Sequence, residues 1–306
     1  MNGLFTMWRT VRTVRGGTVF CAAAIAMRWW IAPNVEKLSA DYVNETRYDS
    51  KSRFRLLETT PWSERQKIAT RVDQTFIATG DVAKINGHID WTSQSGDQTY
   101  ETVGLYGVDR QTRANLSGYG NQNRTGQFLF PPHTQKTNYT LWDPFYAGPR
   151  QAFFNHTEVR NGVLTYVFNC RVDPFDETDG YLAIPGVPQR YRVFSVGRGK
   201  VWVEPVSGWI VDFEDRGLSY FVDAQSGQRL WDFCTWESHY DRETKIAQLQ
   251  YAIVTRRRMF VLEDWLPLGL TGAGLVWFAL APLRRRRVGP LAPASAQISA
   301  QPDLAR

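Results

Sequence analysis

The sequence has few of the residues that build metal centres and disulfide frameworks. Its 306 residues include three cysteines and four histidines, and none of them forms a CxxC, HxxxH or HExxH arrangement. Structural zinc sites and zinc peptidases need ligands at such short spacings. The sequence therefore predicts no metal site, and no cofactor is expected.

Motifs for nucleophilic catalysis and for phosphate binding are also missing. No G-x-S-x-G sequence occurs, so the nucleophile elbow of an α/β-hydrolase is not indicated. The glycine-rich stretch SGYGNQNRTG (117–126) has no Walker lysine and opens no predicted helix, so we interpret it as a loop. We expect a protein that is not an enzyme.

The chain carries a formal net charge of +6, but its arginines are unevenly placed. They cluster at Arg9, Arg12 and Arg15, at 256–258 and at 284–287. A nucleic-acid interface would place basic residues on one face with aromatic residues between them. Here the clusters flank apolar segments, which indicates membrane topology and no nucleic-acid partner.

The stretch WLPLGLTGAGLVWFALAPL (265–283) contains no charged residue. A helix crosses the hydrocarbon core of a bilayer in about 20 apolar residues. Tryptophan at the ends of such a segment and glycine within it are typical of membrane helices. The segment therefore predicts a C-terminal transmembrane helix.

A second apolar segment, 17–33, is interrupted by Arg28 and allows two interpretations. As an uncleaved membrane anchor, it would let Arg28 reach the interface beside Trp29 and Trp30. As a signal peptide, it would be cleaved at the Ala-x-Ala sequence of 24–26. We favour the anchor because aromatic residues continue past that sequence.

The charges that flank the two apolar segments predict the orientation of the chain. Basic flanks of membrane segments stay in the cytoplasm. The basic N terminus, 1–16, and the basic, disordered tail, 284–306, are therefore placed there, and residues 34–264 face outward. Arginines 256–258 lie on the opposite side, where they would belong to a folded helix or contact anionic headgroups. The predicted location is the cell membrane, with the lipid bilayer as a partner.

The outward region is predicted to be mainly β. Several segments are rich in β-branched and aromatic residues and alternate apolar with polar positions. These segments are 84–91, 99–109, 163–172, 190–196, 200–213, 218–224 and 228–236. Asn161 and Gly162 lie between two strand-like runs and predict a two-residue hairpin turn.

A helical pattern follows the strands, at 239–262, with Ile246, Leu249, Gln250 and Ile253 near one face. The fold expected from these signals is a large antiparallel β domain, built as a curved sheet or a sandwich. Transmembrane helices at the N and C termini would flank this domain.

Cys170 and Cys234 lie in strand-like segments of the outward region. An oxidising compartment permits a disulfide between them. Two buried free thiols, which behave as small apolar residues, are the alternative. The sequence leaves both open because it does not give the Cα separation that a disulfide requires.

Two acid-x-x-Ser-Gly sequences recur in the outward region. The first runs from Glu204 to Gly208, and the second runs from Asp223 to Gly227. In such a sequence the acidic side chain can accept from backbone N–H groups, and glycine can adopt the left-handed conformation that closes a turn. We interpret both sequences as hairpin turns and not as catalytic clusters.

Three further carboxylates follow the first turn. Asp212 and Glu214 are predicted to share one face of a strand, and Asp215 is predicted to begin the next turn. Like charges on one face can raise a carboxyl pKa and produce a general acid. A solvated strand face is the more common origin of this pattern. Asp212 and Glu214 are therefore only weak functional candidates.

Four sequence blocks occur in a characteristic order. They are YGVDRQTRAN (106–115), GQFLFPPHTQKTNYTLWDPF (126–145), EVRNGVLTYVF (158–168) and WVEPVSGWIVD (202–212). In this order they resemble the porin PorA-like family of actinobacterial envelope proteins, formerly a domain of unknown function. The resemblance covers nearly the whole chain. It implies an N-terminal membrane segment, a β-rich extracytoplasmic domain and a C-terminal span, and it supplies no catalytic residues.

The expected function is that of a non-enzymatic, membrane-anchored envelope protein in envelope assembly or transport. One alternative is a carrier in which a curved sheet encloses a lipid ligand. A second is a pore-forming oligomer, which the family name suggests. A third is a hydrolase that uses some of Asp212, Glu214 and Asp215. Besides the bilayer, the expected partners are a lipid ligand or other envelope proteins.

Overall fold

The computed structural model describes residues 16–39, 43–145 and 148–286. The chain divides into two compact units, one formed by Met1–Trp29 with Glu263–Arg306 and the other by Trp30–Leu262. The predicted basic N terminus lies outside the described residues except for Gly16. The tail after residue 286 lies outside them as well.

The unit Trp30–Leu262 is built on one curled antiparallel sheet of ten strands. The strands are β1 (Val43–Phe54), β2 (Gln66–Thr79), β3 (Val82–Ser93), β4 (Gln98–Asp109), β5 (Tyr139–Asp143), β6 (Gly148–Arg160), β7 (Val163–Asp176), β8 (Tyr191–Glu204), β9 (Trp209–Asp223) and β10 (Arg229–Tyr240). Their order across the sheet is β4-β3-β2-β1-β10-β9-β8-β7-β6-β5. The prediction of a mainly β protein is confirmed, and of its two forms the curved sheet is the one observed.

Local turn chemistry explains how neighbouring strands meet. Asn161 and Gly162 alone connect β6 to β7, with φ angles of +47° and +80°. Positive φ at both central residues belongs to a type I′ turn, whose twist matches that of the strands it joins. The turn therefore sets the register in which Arg160 pairs with Val163.

The two outermost strands are connected by the segment 113–128, here called the bridging segment. On one side, Leu116 N donates to Gly107 O of β4 at 2.8 Å. On the other, Gln127 N donates to Thr140 O of β5, also at 2.8 Å. The segment thus carries backbone hydrogen bonding from one end of the sheet to the other.

The helix α3 (Arg242–Phe260) lies within the predicted helical stretch. Asp241 caps it by accepting from Thr244 N at 2.7 Å. Thr244 Oγ1 in turn accepts from Arg47 N of β1 at 2.9 Å, which ties the helix to the sheet. Of the residues expected near one face of this helix, Leu249 packs against the core cluster that contains buried Ala252, whereas Ile246 and Ile253 are exposed.

The inner face of the sheet, defined as the face that lines the main core, is filled with aromatic and branched side chains. Buried members of this cluster are Tyr48, Val72, Ile89, Phe130, Leu141, Ala152, Phe168, Cys170, Val201, Val203, Phe213 and Tyr240. Tyr48 lies at the centre of several edge-to-face contacts, including one with Phe213 at a centroid distance of 5.4 Å. The opposite face is called the outer face.

In the other unit, the helical stretch α1 (16–26) packs antiparallel against α4 (Leu266–Arg286). Glycines make this packing close, since a Cβ placed on Gly17 would lie 2.5 Å from the Phe278 ring. Small residues bring helix backbones together in the same way inside membranes. A short π turn (Met27–Ile31) and α2 (Ala32–Glu36) follow α1, and a second π turn (Val261–Trp265) precedes α4.

Among the described residues, one helix is long and apolar enough to cross a membrane by length and composition, Arg242–Leu280. It includes most of the predicted C-terminal span. The N-terminal helical stretch is short, so the predicted N-terminal transmembrane helix stays a prediction.

Candidate functional site

The two acid-x-x-Ser-Gly sequences lie in hairpin turns with the same internal bonding. Glu204 Oε2 accepts from Ser207 N at 2.8 Å, and Asp223 Oδ1 accepts from Ser226 N at 2.7 Å. Gly208 and Gly227 both have φ of +71°. The carboxylates are therefore occupied in holding their own turns.

The surroundings of these two turns differ. Glu204 is 1% exposed, whereas the Asp223 turn lies in solvent. The Glu204 turn is covered by residues 130–134, because His133 N donates to Val206 O and Thr134 N donates to Pro205 O. A Cβ on Gly208 would lie 2.4 Å from Pro131 O, so only glycine fits beneath this cover.

A third turn of the same type was missed by sequence reasoning. Asp109 Oδ1 accepts from Thr112 N at 2.6 Å, and Arg113 takes the left-handed position with φ of +61°. The signal was present as acid-x-x-Thr, but arginine stands where the other two turns have glycine. Arg113 is buried and donates to Phe130 O at 2.8 Å, which helps to hold the cover over the Glu204 turn.

Asp212 is buried, contrary to the expectation of a solvated strand face. Its carboxylate forms ion pairs with Arg160 and, at 3.2 Å, with Lys245 of α3. Arg160 also stacks over the Trp202 ring, 3.9 Å from its centroid. Glu214 is exposed two positions along the strand. The two weak candidates therefore occupy different environments.

Asp215 does not begin a turn, because β9 continues to Asp223. Its side chain lies on the inner face and accepts from Arg150 Nη2 at 3.0 Å and from Trp236 Nε1 at 3.0 Å. Arg150 Nε also lies 2.6 Å from Asp143 Oδ2. The side chains of Asp143, Arg150 and Asp215 are each no more than 6% exposed. They form a buried charged triad that sequence reasoning did not find.

Aromatic and thiol groups surround this triad. Burial raises the pKa of Tyr48 to about 12 and that of Cys170 to about 12, so both groups are protonated at neutral pH. The positive charge of the Arg150 side chain partly offsets this rise in the thiol pKa. The site therefore combines one cation, two anions and neutral side chains.

A further carboxyl lies near the inner face at Glu177. Burial raises the pKa of Glu177 to about 7, although Ser195 donates a hydrogen bond to it. Ser195 Oγ is also 2.7 Å from Ser219 Oγ. Glu177 therefore titrates near neutral pH.

One cluster on the sheet has side chains of metal-binding type. Ligand atoms of Asp73, His88 and Asp90 lie within 4.8 Å of one another. Arg71 already pairs with Asp73 at 3.0 Å, and Glu101 is 2.6 Å from His88. These contacts account for the cluster without an ion, so we assign no metal to it.

On the outer face, five strands form a groove of about 530 Å³. Its charged lining residues are Lys51, Arg53, Arg65, Arg171, Asp173, Arg198, Arg216 and Glu237. Val196 and Leu218 contribute apolar surface between them. We call this feature the outer-face groove.

The family described as Porin PorA matches residues 11–282, which is most of the chain. The chain belongs to the porin PorA family. This agrees with the resemblance of the four sequence blocks, and it indicates a porin-like, membrane-associated protein of the cell envelope.

Other comparisons add little to the porin PorA assignment. The search of curated proteins gave no match. Among solved structures, the crystal structure of an N-terminal dehydratase from difficidin assembly line has 11% identity and a TM-score of 0.12. The similarity covers 68% of this chain and 82% of that chain. A TM-score this low carries no argument about fold or function.

The cysteines of this porin PorA family member are free thiols. Cys170 lies on β7 and Cys234 on β10, with β8 and β9 between them. Three spacings of about 4.8 Å between strands exceed the Cα separation of a disulfide. Cys170 and Cys234 are therefore two buried free thiols, as in the second of the two alternatives.

Proposed function

We propose that this porin PorA family member is a non-enzymatic, membrane-anchored protein whose β unit faces outward and acts by binding in envelope assembly or transport. The observation that carries the proposal is the pairing of its buried charges. A general acid or base must reach the proton that it transfers. Asp212 and Asp215 are instead buried against cations, and Glu204 is bonded within its own turn.

The apolar helices support the membrane part of the proposal. The helix Arg242–Leu280 has the length and composition of a span, and α1 packs against its C-terminal part through Gly17 and Gly274. An N-terminal segment that packs in this way is favoured as a retained anchor over a removed signal peptide. The filled inner face supports a scaffold over a carrier that encloses a lipid within the sheet.

Protease accessibility in spheroplasts tests the orientation. We expect added protease to cleave the 34–264 region in intact spheroplasts, while an epitope placed on the 284–306 tail stays protected until the cells are lysed. The protected tail is the internal control for membrane integrity. A protected β unit in the same intact cells would contradict the proposal.

The family supports a second function, a pore-forming oligomer. Planar-bilayer recordings of the purified full-length chain test it directly. Stepwise conductance that is absent from a matched detergent blank would favour a pore. Silent membranes at high protein load would leave the binding role as the better account.

A further inference from the structure

Three arginines lie side by side across the centre of the outer face. In the strand register, Arg171 of β7 is opposite Arg198 of β8, and Arg198 is opposite Arg216 of β9. Directly paired residues point to the same face of a sheet, and all three arginines are exposed. We call these residues the arginine row.

The row continues across two more strands. Arg216 is opposite Glu237 of β10, and Glu237 is opposite Lys51 of β1. Neighbouring strands are about 4.8 Å apart, so the positions from Arg171 to Lys51 span roughly 20 Å. The whole row lines the outer-face groove.

Positive charge exceeds negative charge in this groove. Its lining includes six basic residues and two acidic ones. The two acids already have partners, since Asp173 pairs with Arg171 at 2.9 Å and Glu237 pairs with Arg65 at 3.3 Å. In the described part of the chain, Arg198 and Arg216 form no ion pair.

Such an arrangement opposes the stability of the sheet. Like charges directly opposite each other on neighbouring strands are destabilising. Proteins depart from favourable local pairing mainly where function requires it. The row therefore indicates a ligand that supplies the missing negative charge.

The length and the lining of the groove limit the kinds of ligand that it can bind. The three arginines span about 10 Å, and the five aligned positions from Arg171 to Lys51 span roughly 20 Å, so a single small anion would contact only part of this line. The groove is lined by eight charged side chains together with Val172, Pro174, Val196, Leu218 and Trp236. Six of the charged groups are basic, so an anionic ligand is favoured. A concave groove also suits an extended chain better than a flat bilayer surface. Phosphate oxygens match the guanidinium fork and can bridge neighbouring arginines.

We propose that the outer-face groove binds a linear polyanion whose charges are phosphate or phosphodiester groups, with Arg171, Arg198 and Arg216 as the main contacts. This assignment rests on the proposed binding role of the β unit and names the class of ligand. Arg198 is central because it has an arginine on each side. Lys51 and Arg53, which lie on β1, extend the contact surface to that strand.

Binding of inorganic polyphosphate to the purified full-length chain tests the proposal. We expect long-chain polyphosphate to bind and to raise the thermal unfolding midpoint, because a ligand that binds only the folded state stabilises it. Orthophosphate at the same phosphate concentration should bind far more weakly. The affinity should fall as salt is added, since exposed charges are screened.

Two double variants separate the groove from general positive charge. Arg198→Thr/Arg216→Thr should bind polyphosphate at least roughly tenfold more weakly, as expected for the loss of charge-assisted contacts. The control Lys84→Thr/Arg242→Thr removes the same charge from exposed positions outside the groove and should bind as the unmodified chain does. Circular dichroism checks that both variants are folded.

Other outcomes would overturn the assignment. Equal binding by both double variants would mean that net charge alone attracts the polymer. Equal affinity for poly-glutamate would reject phosphate as the recognised group. Binding to phosphatidylglycerol vesicles without binding to polyphosphate would identify a membrane surface as the partner. These measurements use purified protein, so their failure is distinguishable from a failure of the predicted membrane orientation.

Discussion

On the inner face of the sheet Arg150 lies between Asp143 and Asp215, whereas on the outer face Arg198 lies between Arg171 and Arg216. The first arginine is buried and has an acid on each side. The second is exposed and has a cation on each side. Burial makes charge pairing obligatory because an isolated charge is costly to remove from water. On the outer face, water and salt screen the charges, so an exposed arginine does not need an acidic partner. Its charge stays available to a ligand.

The largest effect is expected when the buried cation is removed. Arg150→Met leaves Asp143 and Asp215 buried without the cation between them, and we expect a loss of roughly 3–5 kcal/mol in the free energy of unfolding at neutral pH. Urea denaturation of the detergent-solubilised chain measures it. The deficit should shrink as the pH falls, because protonation removes the unpaired charges.

The triple variant Asp143→Asn/Arg150→Met/Asp215→Asn is the matched control for Arg150→Met. It removes all three charges together, so it should be clearly more stable than Arg150→Met alone at neutral pH. Equal instability of the two variants would show that packing, and not the unpaired carboxylates, causes the loss.

Glu177 tests how strongly partial burial affects a single carboxyl. Its pKa is raised from 4.5 to about 7, so between these values the folded protein binds more protons than the unfolded chain. Stability conferred by the protonated form is therefore complete at low pH and is lost as the pH rises towards 7. Glu177→Gln should remove this pH dependence and gain on the order of 2 kcal/mol above pH 7. Denaturation midpoints across this range measure it, and unchanged pH dependence would contradict the assignment to Glu177.

The Glu204 and Asp223 turns allow a buried and an exposed carboxylate to be compared in nearly the same hydrogen-bonding arrangement. Glu204→Ala leaves buried donors of Ser207 unsatisfied and should cost roughly 2 kcal/mol. Asp223→Ala exposes the corresponding donors of Ser226 to water and should cost less than about 1 kcal/mol. Parallel urea denaturation of both variants provides the measurement. Equal losses would mean that burial does not determine the strength of this turn.

The smallest expected effect concerns the arginine row. Arg198→Thr removes the central like charge and places a β-branched residue in β8, so the ligand-free protein should gain about 0.5 kcal/mol. The gain should diminish at high salt, where repulsion in the unmodified protein is screened. A loss of stability at low salt would indicate that Arg198 has a structural partner.

Local signals in the sequence were sufficient for several features. The Asn161-Gly162 turn and the two acid-x-x-Ser-Gly turns each depend on residues within a few positions of one another. Strand β1 was not predicted because its buried positions include Thr46 and Ser52, which give no apolar alternation. Polar side chains fit there because neighbouring strands bury them.

The charged triad could not be predicted from any short stretch of the sequence. Arg150 and Asp215 are 65 residues apart in the chain and meet only because β6, β7, β8 and β9 are adjacent in the sheet. The register that places Arg171, Arg198 and Arg216 in one row is equally non-local. In the sequence alone, these three arginines cannot be told apart from other polar strand residues. Only the alignment of the strands places them side by side.

The bridging segment has a consequence for how copies of this protein can associate. Its hydrogen bonds occupy peptide groups of Leu105, Gly107 and Asp109 on β4 and of Thr140 and Trp142 on β5. An added strand needs free peptide groups at a sheet edge, and at these positions they are already used. Copies therefore cannot merge there into one continuous sheet. Any assembly through this part of the molecule must be made by side chains, so its partner choice can be altered by surface substitutions without refolding the strands.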